Sequence, residues 1–368
     1  MATPLQALKI AHVDAETGFS GGEVQVFLLL EGLTRRGHDC TLYCPPESRS
    51  EERARELGLR TRAVRMRNDL DLPAVAALSR AFRRDAVDLV HLHTGRAAWL
   101  GGLAACRAGR PAVATRRMDR RVRRGPRTRL LYGRLLSRVA AISPAVARCL
   151  EEGGVDRGRI RTIPSAVDPG ALAPRRERAA VRRELGLEPG DPAVLCLASL
   201  VPRKGIDVLI EALARGRAAL AEAVLLVAGD GPEAGPLAEL ARRRGVAARV
   251  RLLGPRADAP DLLSACDLFA LPSRREGLGV AALEAMAAGR AVVASRVGGL
   301  AEAVVDGRTG RLVPPGDPAA LAEALEELLG DDALRGRLAA AGPERVREGF
   351  LAEQMVASYE ELYREVLS

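Results

Sequence analysis

The feature that most constrains this chain is an alternation of short apolar runs with amphipathic helical ones, played through twice and interrupted once. Apolar runs rich in Val, Ile, Leu and Ala occur at residues 8–13, 40–44, 89–93, 112–115, 139–142 and 160–163. Between them lie segments with helical spacing, among them 24–35 and 73–84. Continuous apolar runs, as opposed to alternating ones, belong to strands covered on both faces, so a βαβ rhythm built from them predicts a parallel sheet between layers of helices. The rhythm pauses at Pro164-Ser-Ala-Val-Asp168-Pro-Gly-Ala-Leu-Ala-Pro174, where proline and glycine mark a linker. It resumes at 194–200, 224–228, 250–253, 268–272 and 291–295, and helical stretches at 318–329 and 351–367 close the chain. The expectation is an α/β chain of two doubly wound domains, 1–168 and 169–349, with a terminal helix at 350–368. A single long α/β domain is the alternative; the proline-rich break and the length of 368 residues argue for two cores. In such sheets ligands bind beyond the carboxyl ends of the strands, so the chemistry is sought in the loops that follow them.

Composition removes several classes. Aromatic residues make up 3% of the chain, which leaves few platforms for stacking bases or glycan rings. No apolar run approaches the roughly 18 residues of a membrane-spanning helix. The first residues lack the apolar core and cleavage pattern of a secretory leader, so a cytoplasmic protein is expected. The six cysteines show no Cys-x-x-Cys spacing; Cys196 and Cys266, among apolar residues, read as reduced buried thiols. His91-Leu-His93 has no carboxylate or Cys companions, so no zinc site is expected. Charge is lopsided: residues 1–168 carry 30 Lys and Arg against 18 Asp and Glu, a balance of +12, while the remainder carries 26 against 29. The first domain is therefore expected to meet an anionic partner.

Three loops after strands stand out. The first, Thr17-Gly-Phe-Ser-Gly21-Gly22-Glu23, leads into a helix, and its paired glycines permit close backbone approach to a phosphate or sugar; a plain tight β–α turn is the alternative. The second, Pro202-Arg203-Lys204-Gly205, places a guanidinium and one of the chain's two lysines at a helix start, which suits a diphosphate; a solvated charge pair is the alternative. The third is Ser273-Arg-Arg-Glu276-Gly-Leu278-Gly279-Val280-Ala-Ala-Leu-Glu284, a glycine-bearing turn followed by an Ala-rich helix that Gly289 closes. Backbone N–H groups at its helix start favour an anion, and two carboxylates eight residues apart suit sugar hydroxyls. Gly229-Asp230-Gly231-Pro232 and Gly254-Pro-Arg256 also follow strands, and so many glycines and charges on one sheet edge argue against unrelated surface residues.

Taken together, Gly21-Gly22, Pro202-Arg203-Lys204-Gly205, Ala228-Gly229-Asp230-Gly231-Pro232, Cys266-Asp267-Leu-Phe-Ala-Leu-Pro272-Ser273 and the Glu276-x7-Glu284 pair closely resemble the family 4 (group 1) glycosyltransferases, of GT-B architecture, over nearly the whole chain. The resemblance implies two Rossmann-like parallel-sheet domains facing a cleft. It implies retaining transfer of a hexose-type sugar from a nucleotide-sugar to a cell-envelope glycan or lipid-linked acceptor, with no required metal and no cofactor. By that resemblance Arg203 and Lys204 neutralise the diphosphate and Glu284 binds ribose hydroxyls. Glu276 and the Leu278, Gly279 and Val280 backbone contact the sugar and β-phosphate, and Arg256 lies in the loop near the base, with Gly229, Gly21 and Gly22 completing the donor set. One departure stands out: many family members carry a His after the strand at 112–115, whereas this chain has Thr115-Arg116-Arg117-Met118-Asp119. Arg117, Asp119 or the His93 loop takes that place, and the stretch is similar to relatives that act on lipopolysaccharide.

Two further signals carry competing readings. Asp69-Leu-Asp71 matches a metal-binding Asp-x-Asp, but it stands just before Pro73, where Asp caps a helix; the cap is the expectation. Residues 116–129 hold eight arginines, followed by an amphipathic stretch through Leu130, Leu131, Leu135, Leu136 and Val139. Arg120, Arg121, Arg123 and Arg124 form either a patch for an anionic acceptor at the inner membrane surface or a solvated loop ahead of an ordinary core helix; the +12 balance favours the patch. Three rivals are a GT-B sugar-nucleotide epimerase or hydrolase, a basic nucleic-acid-binding module and a dinucleotide enzyme. The second leaves Glu276 and Glu284 unexplained, and the third lacks its Gly-x-Gly-x-x-Gly fingerprint. No nucleic-acid partner is expected.

Overall fold

The computed structural model describes residues 7–18 and 20–368; Phe19 of the first glycine loop, and the start of the chain with its reading as leaderless, lie outside the described residues. Two parallel sheets form, each within its own compact unit. The first contains β1 (Lys9–Val13), β2 (Asp39–Cys44), β3 (Arg60–Ala63), β4 (Leu89–Leu92), β5 (Ala112–Arg116), β6 (Arg138–Ala141) and β7 (Ile160–Thr162), in the order β3-β2-β1-β4-β5-β6-β7. The second contains β8 (Ala193–Leu197), β9 (Val224–Ala228), β10 (Val250–Gly254), β11 (Leu268–Leu271), β12 (Ala291–Ser295) and β13 (Gly310–Val313), in the order β10-β9-β8-β11-β12-β13. Each is doubly wound: the order reverses between β1 and β4 in one and between β8 and β11 in the other, and it is at such a reversal that a crevice opens for ligands.

The interior strands form because every side chain on them has somewhere apolar to go. All five residues of β9 and all five of β12 are buried, as are all four of β11. Helices such as Ile206–Arg215 and Pro318–Gly330 lay Leu209, Leu213, Leu321, Leu325 and Leu328 onto this sheet. Two strands absent from the sequence expectation, β3 and β13, are sheet edges with partly exposed residues, Arg-Thr-Arg-Ala and Gly-Arg-Leu-Val, which carry no apolar run to read. The stretch expected as a strand to residue 200 stops at Leu197.

The units divide at Ser165, three residues before the expected boundary. The second is the continuous segment Ala166–Leu351; the first takes back the last segment, Ala352–Ser368. The helix Ala352–Leu367 is bound into the first unit by polar groups as much as by packing. Tyr363 and Tyr359, 0% and 2% exposed, place their hydroxyls 2.7 Å from His91 Nδ1 and from Thr115 Oγ1. Buried Glu360 accepts from Arg36 at 2.5 Å and meets His38 at 2.9 Å. Buried phenol hydroxyls and carboxylates are tolerated because each has such a partner.

In the second unit the loops at the carboxyl edge touch backbone to backbone. Gly229, just past β9, holds φ +150°, and a Cβ there would stand 1.9 Å from the Ala198 carbonyl oxygen. Gly205, at the start of the helix Ile206–Arg215, holds φ +67°, and a Cβ would stand 2.0 Å from the Pro272 carbonyl oxygen. Backbone cannot yield as a side-chain end does, so both positions require glycine. Gly336, by contrast, is exposed within the helix Asp332–Gly349 with no atom near its missing Cβ. Gly229→Ala is expected to destabilise by at least about 1–3 kcal/mol, whereas Gly336→Ala stabilises by about 0.5–1 kcal/mol. Thermal unfolding of the two variants beside the parent checks this: opposite shifts in Tm are expected, and equal shifts would refute the close approach.

Candidate functional site

The switch point of the second sheet gathers the charged loops. The chain leaving β8 runs through Arg203 and Lys204, and the chain leaving its neighbour β11 runs through Ser273 and Glu276. Lys204 Nζ donates to Glu276 Oε2 at 2.5 Å, and Ser273 Oγ donates to the same oxygen at 3.2 Å. All three groups are largely withdrawn from water: the side chains of Lys204 and Glu276 are 13% and 11% exposed, and Ser273 is fully buried. Pairing explains why the two charges tolerate that burial. Arg274 is held elsewhere, bidentate on Asp207 at 2.7 and 2.6 Å. Arg203 is exposed, with no side-chain partner among the described residues.

From Glu276 the chain passes buried Leu278 and Gly279 into the helix Val280–Ala287, whose N-terminus carries no side-chain cap. The N–H groups of Val280 and Ala281 make no hydrogen bond among the described residues, and the helix dipole adds partial positive charge there. Glu284 lies one turn further on. It has no hydrogen bond or ion pair among the described residues, and burial pushes its carboxyl up from the usual 4.5 to about 7. A half-buried carboxyl without a partner carries a desolvation cost that a ligand with donors to offer would relieve. Gly229 sits on the same edge. Arg256 is placed differently from the sequence expectation: its guanidinium forks onto Asp258 at 2.7 and 2.5 Å and reaches Glu184 at 2.9 Å, so it braces its own loop instead of standing free for a ligand.

The first sheet has its own cluster at the β1/β4 reversal. Gly21 and Gly22 begin the helix Gly21–Arg35, whose Ser20 and Glu23 complete a capping box, with Ser20 N–H on Glu23 Oε2 at 2.6 Å. Gly22 lies against the side chain of Arg117, which leaves β5. Arg117 is half-buried, has no carboxylate within ion-pairing distance among the described residues, and touches His93 Nδ1 through Nη2 at 3.4 Å. Asp14, one residue past β1 and 1% exposed, has its carboxyl raised to about 6 by burial. Asp119 is half-buried and its carboxylate makes no ion pair among the described residues.

Beneath Arg117 lies a group that sequence reasoning missed. His12 on β1 stands in register with His91 on β4, and His93 follows two residues on, so all three imidazoles share one sheet face. His12 Nδ1 is 3.0 Å from His93 Nε2, and His91 bridges the hydroxyls of Tyr363 and Thr115 at 2.7 Å each. Burial holds His12 down to about 3 and the other two well below the usual range, so all three are neutral at pH 7. Three neutral imidazoles are a ligand set in kind. Both nitrogens of His91 are already taken, however, and a guanidinium abuts His93, so a divalent cation would lose hydrogen bonds and meet like charge. The cluster fits a hydrogen-bonded support for Arg117 and the terminal helix better than a metal centre.

Asp71 caps the helix Leu72–Arg84, accepting from Ala74 N–H at 3.1 Å, while Asp69 pairs with Arg127. The stretch expected to be lipid-facing after the arginines is not: Leu135, Leu136 and Val139 are at most 8% exposed and belong to the core, because the chain turns there through the short helical segment Leu131–Leu135 into β6. Arg120, Arg121, Arg123 and Arg124 remain on the exposed loop before it, Arg124 donating to the Glu152 carbonyl at 3.0 Å. No helix among the described residues is long and apolar enough to cross a membrane.

Residues 19–171 match the family model described as Glycosyltransferase Family 4, and residues 177–345 match Glycosyl transferases group 1. A D-inositol 3-phosphate glycosyltransferase of Xylanimonas cellulosilytica is 32% identical over 94% of this chain and 92% of its own. The lipopolysaccharide core biosynthesis glycosyltransferase LpsE of Rhizobium meliloti is 34% identical over 64% of this chain and 66% of its own. Among solved structures, Anabaena HepE in complex with UDP-glucose superposes with a TM-score of 0.87 at 24% identity, covering 97% of this chain and all of that one; the likeness establishes the GT-B fold.

Glu284 yields a measurable signature. Its folded-state pKa lies above the unfolded value, so its contribution to stability is intact below pH about 4.5 and is lost as pH rises through about 7. The loss is on the order of 3 kcal/mol. Glu284→Gln is expected to flatten that part of the profile and to be more stable than the parent at pH 8. Tm curves of parent and variant measured from pH 4.5 to 8.5 check this, and parallel curves would remove the buried acid.

Proposed function

Because the chain belongs to the family 4 glycosyltransferases, we propose that it moves a hexose-type sugar, with retention at the anomeric carbon, from a nucleotide-sugar to a cell-envelope glycan or lipid-linked acceptor. The observation that carries the donor reading is the Lys204–Glu276 contact across the β8/β11 switch point, beside the uncapped start of the helix Val280–Ala287. A diphosphate needs fixed positive charge and N–H donors, which Lys204, Arg203 and the N–H groups from Leu278 to Val280 supply. A ribose diol has two O–H donors, and Glu284 is a half-buried carboxyl with no donor paired to it among the described residues. A diol favours its ionised form, so donor binding expels the proton and offsets the cost of the empty site. The UDP-glucose complex of HepE supports starting the donor search with UDP-sugars.

In the reaction the bond from the anomeric carbon to the β-phosphate oxygen breaks, and its electron pair stays on the phosphate. The acceptor hydroxyl oxygen bonds to the same face of that carbon, and its proton passes to the departing phosphate oxygen. Negative charge thus grows on the diphosphate as the bond breaks, and fixed cations already in place lower the barrier. Lys204, Arg203 and the helix start supply that charge, so the reading requires no metal and no cofactor. Glu276 is the residue nearest this charge that can accept from sugar hydroxyls: Lys204 and Ser273 both occupy its Oε2. The first unit would receive the acceptor. Arg117 there makes no direct ion pair among the described residues, Asp119 stands two residues on, and the relatives' descriptions, an inositol phosphate in one and the lipopolysaccharide core in the other, support a phosphate-bearing or cell-envelope acceptor. Work at the inner membrane surface, on the cytoplasmic side, follows from such an acceptor.

Lys204→Ala is expected to lower transfer by about 10²–10³-fold and, by leaving the largely buried Glu276 carboxylate without its cation, to lower Tm as well, and EDTA to leave the parent's rate unaltered. Release of nucleotide from a panel of sugar donors, with the product's anomeric configuration read by NMR, tests the whole reading. Free sugar or an isomerised donor as the main product would replace transfer with hydrolysis or epimerisation, and an inverted product would overturn retention.

A further inference from the structure

Between β3 and the helix Leu72–Arg84 a short turn carries the two most exposed large apolar side chains among the described residues, Leu70 at 84% and Leu72 at 69%. A lone exposed leucine is ordinary. These two stand on a turn whose backbone is held in place. Leu70 N–H donates to Asn68 Oδ1 at 2.8 Å, Arg67 N–H to Asp71 Oδ2 at 2.9 Å, and Leu72 N–H to the Leu70 carbonyl at 2.9 Å. Just before it, buried Met66 anchors the chain, its carbonyl accepting from Arg96 at 3.3 Å. The leucines therefore stay outside while their backbone is fixed.

The same turn is tied to the arginine-rich segment. Asp69 pairs with Arg127, whose guanidinium lies 4.6 Å from the centre of the Trp99 ring, and Arg96 is 4.0 Å from Asp69. Arg65 ahead of the turn, Arg67 on it, and Arg121 and Arg123 on the neighbouring segment are exposed. Against these cations, Asp71 is spent on capping its helix and Asp69 on Arg127. The result is a pair of fixed apolar tips beside a surplus of guanidinium groups.

We propose that the turn 67–72 and the adjoining arginines form a docking surface for an anionic bilayer. Leu70 and Leu72 enter the boundary between headgroups and acyl chains, and Arg65, Arg67 and Arg123 meet lipid phosphates. Charge complementarity selects this occupant, and the leucines supply the apolar burial that the core-facing run at 130–139 does not. The proposal deepens the reading of a lipid-linked acceptor and rests on it for its purpose, though not for its test.

The experiment is co-sedimentation with vesicles of mixed phosphatidylglycerol and phosphatidylcholine, alongside transfer to a soluble acceptor. The parent is expected to sediment with the mixed vesicles, to stay in solution with pure phosphatidylcholine, and to dissociate as salt rises. The doubly substituted Leu70→Ser/Leu72→Ser protein is expected to partition at least about tenfold more weakly while its transfer to the soluble acceptor is unchanged. Absence of the parent from the vesicles, or equal partitioning of the variant, overturns the proposal. So does a parent dimer that the variant converts to monomer, which assigns the face to self-association. Failure of both proteins to transfer sugar would count against the glycosyl-transfer reading and leave the vesicle result standing.

Discussion

The second unit depends on backbone lying directly on backbone at the carboxyl edge of its sheet. Gly205 against the Pro272 carbonyl and Gly229 against the Ala198 carbonyl leave no space for a single carbon atom. That contact brings the chain leaving β8 within reach of the chain leaving β11, and everything proposed for the donor follows from it. Lys204 meets Glu276 because Gly205, the next residue, is pinned to the residue that precedes Ser273. A side chain at Gly205 would push these two loops apart, and one at Gly229 would push the loop after β9 off the loop after β8.

Two opposite ways of treating a carboxyl drawn back from water meet on this edge. Glu276 is compensated by an ammonium and a hydroxyl, and Glu284 by nothing on the protein. The first is held in geometry at little net cost; the second carries a penalty that a bound diol removes. Local instability of this kind collects at sites built for ligands, where the missing partner arrives from solution. In the first unit Arg117 rests on neutral imidazoles and makes no ion pair among the described residues, with the carboxylates of Glu23 and Asp14 near enough to favour its charge.

Much of this was legible in the sequence, and the reasons differ by element. Buried parallel strands such as β9 and β12 announce themselves as unbroken apolar runs, and the loops that follow them display Arg203, Lys204, Glu276 and Glu284 within recognisable spacing. Edge strands β3 and β13 lack that signal because one of their faces needs no apolar cover. The long helix Asp332–Gly349 was hidden by Pro343 inside it. His12 could not be joined to His91 and His93 without strand register, since β1 and β4 are distant in sequence and only their pairing aligns the rings. The amphipathic leucines at 130–139 misled for a related reason: helical spacing reports which residues share a face, and what covers that face is decided by tertiary packing. The ion pairs that commit Arg256 to Asp258 and Glu184, and Lys204 to Glu276, lie beyond what spacing encodes.

The return of the helix Ala352–Leu367 to the first unit has a consequence for how the chain is made. The second unit is one unbroken stretch inserted into the first, so it is whole as soon as its own residues have been synthesised. The first unit is not: Tyr359, Glu360 and Tyr363 complete its polar network from the far end of the chain. Until they arrive, His91, His38 and Thr115 each lack one buried partner, and the helix Gly21–Arg35 lacks the surface it packs on. The domain translated first is therefore the domain finished last, an inversion of the usual vectorial order.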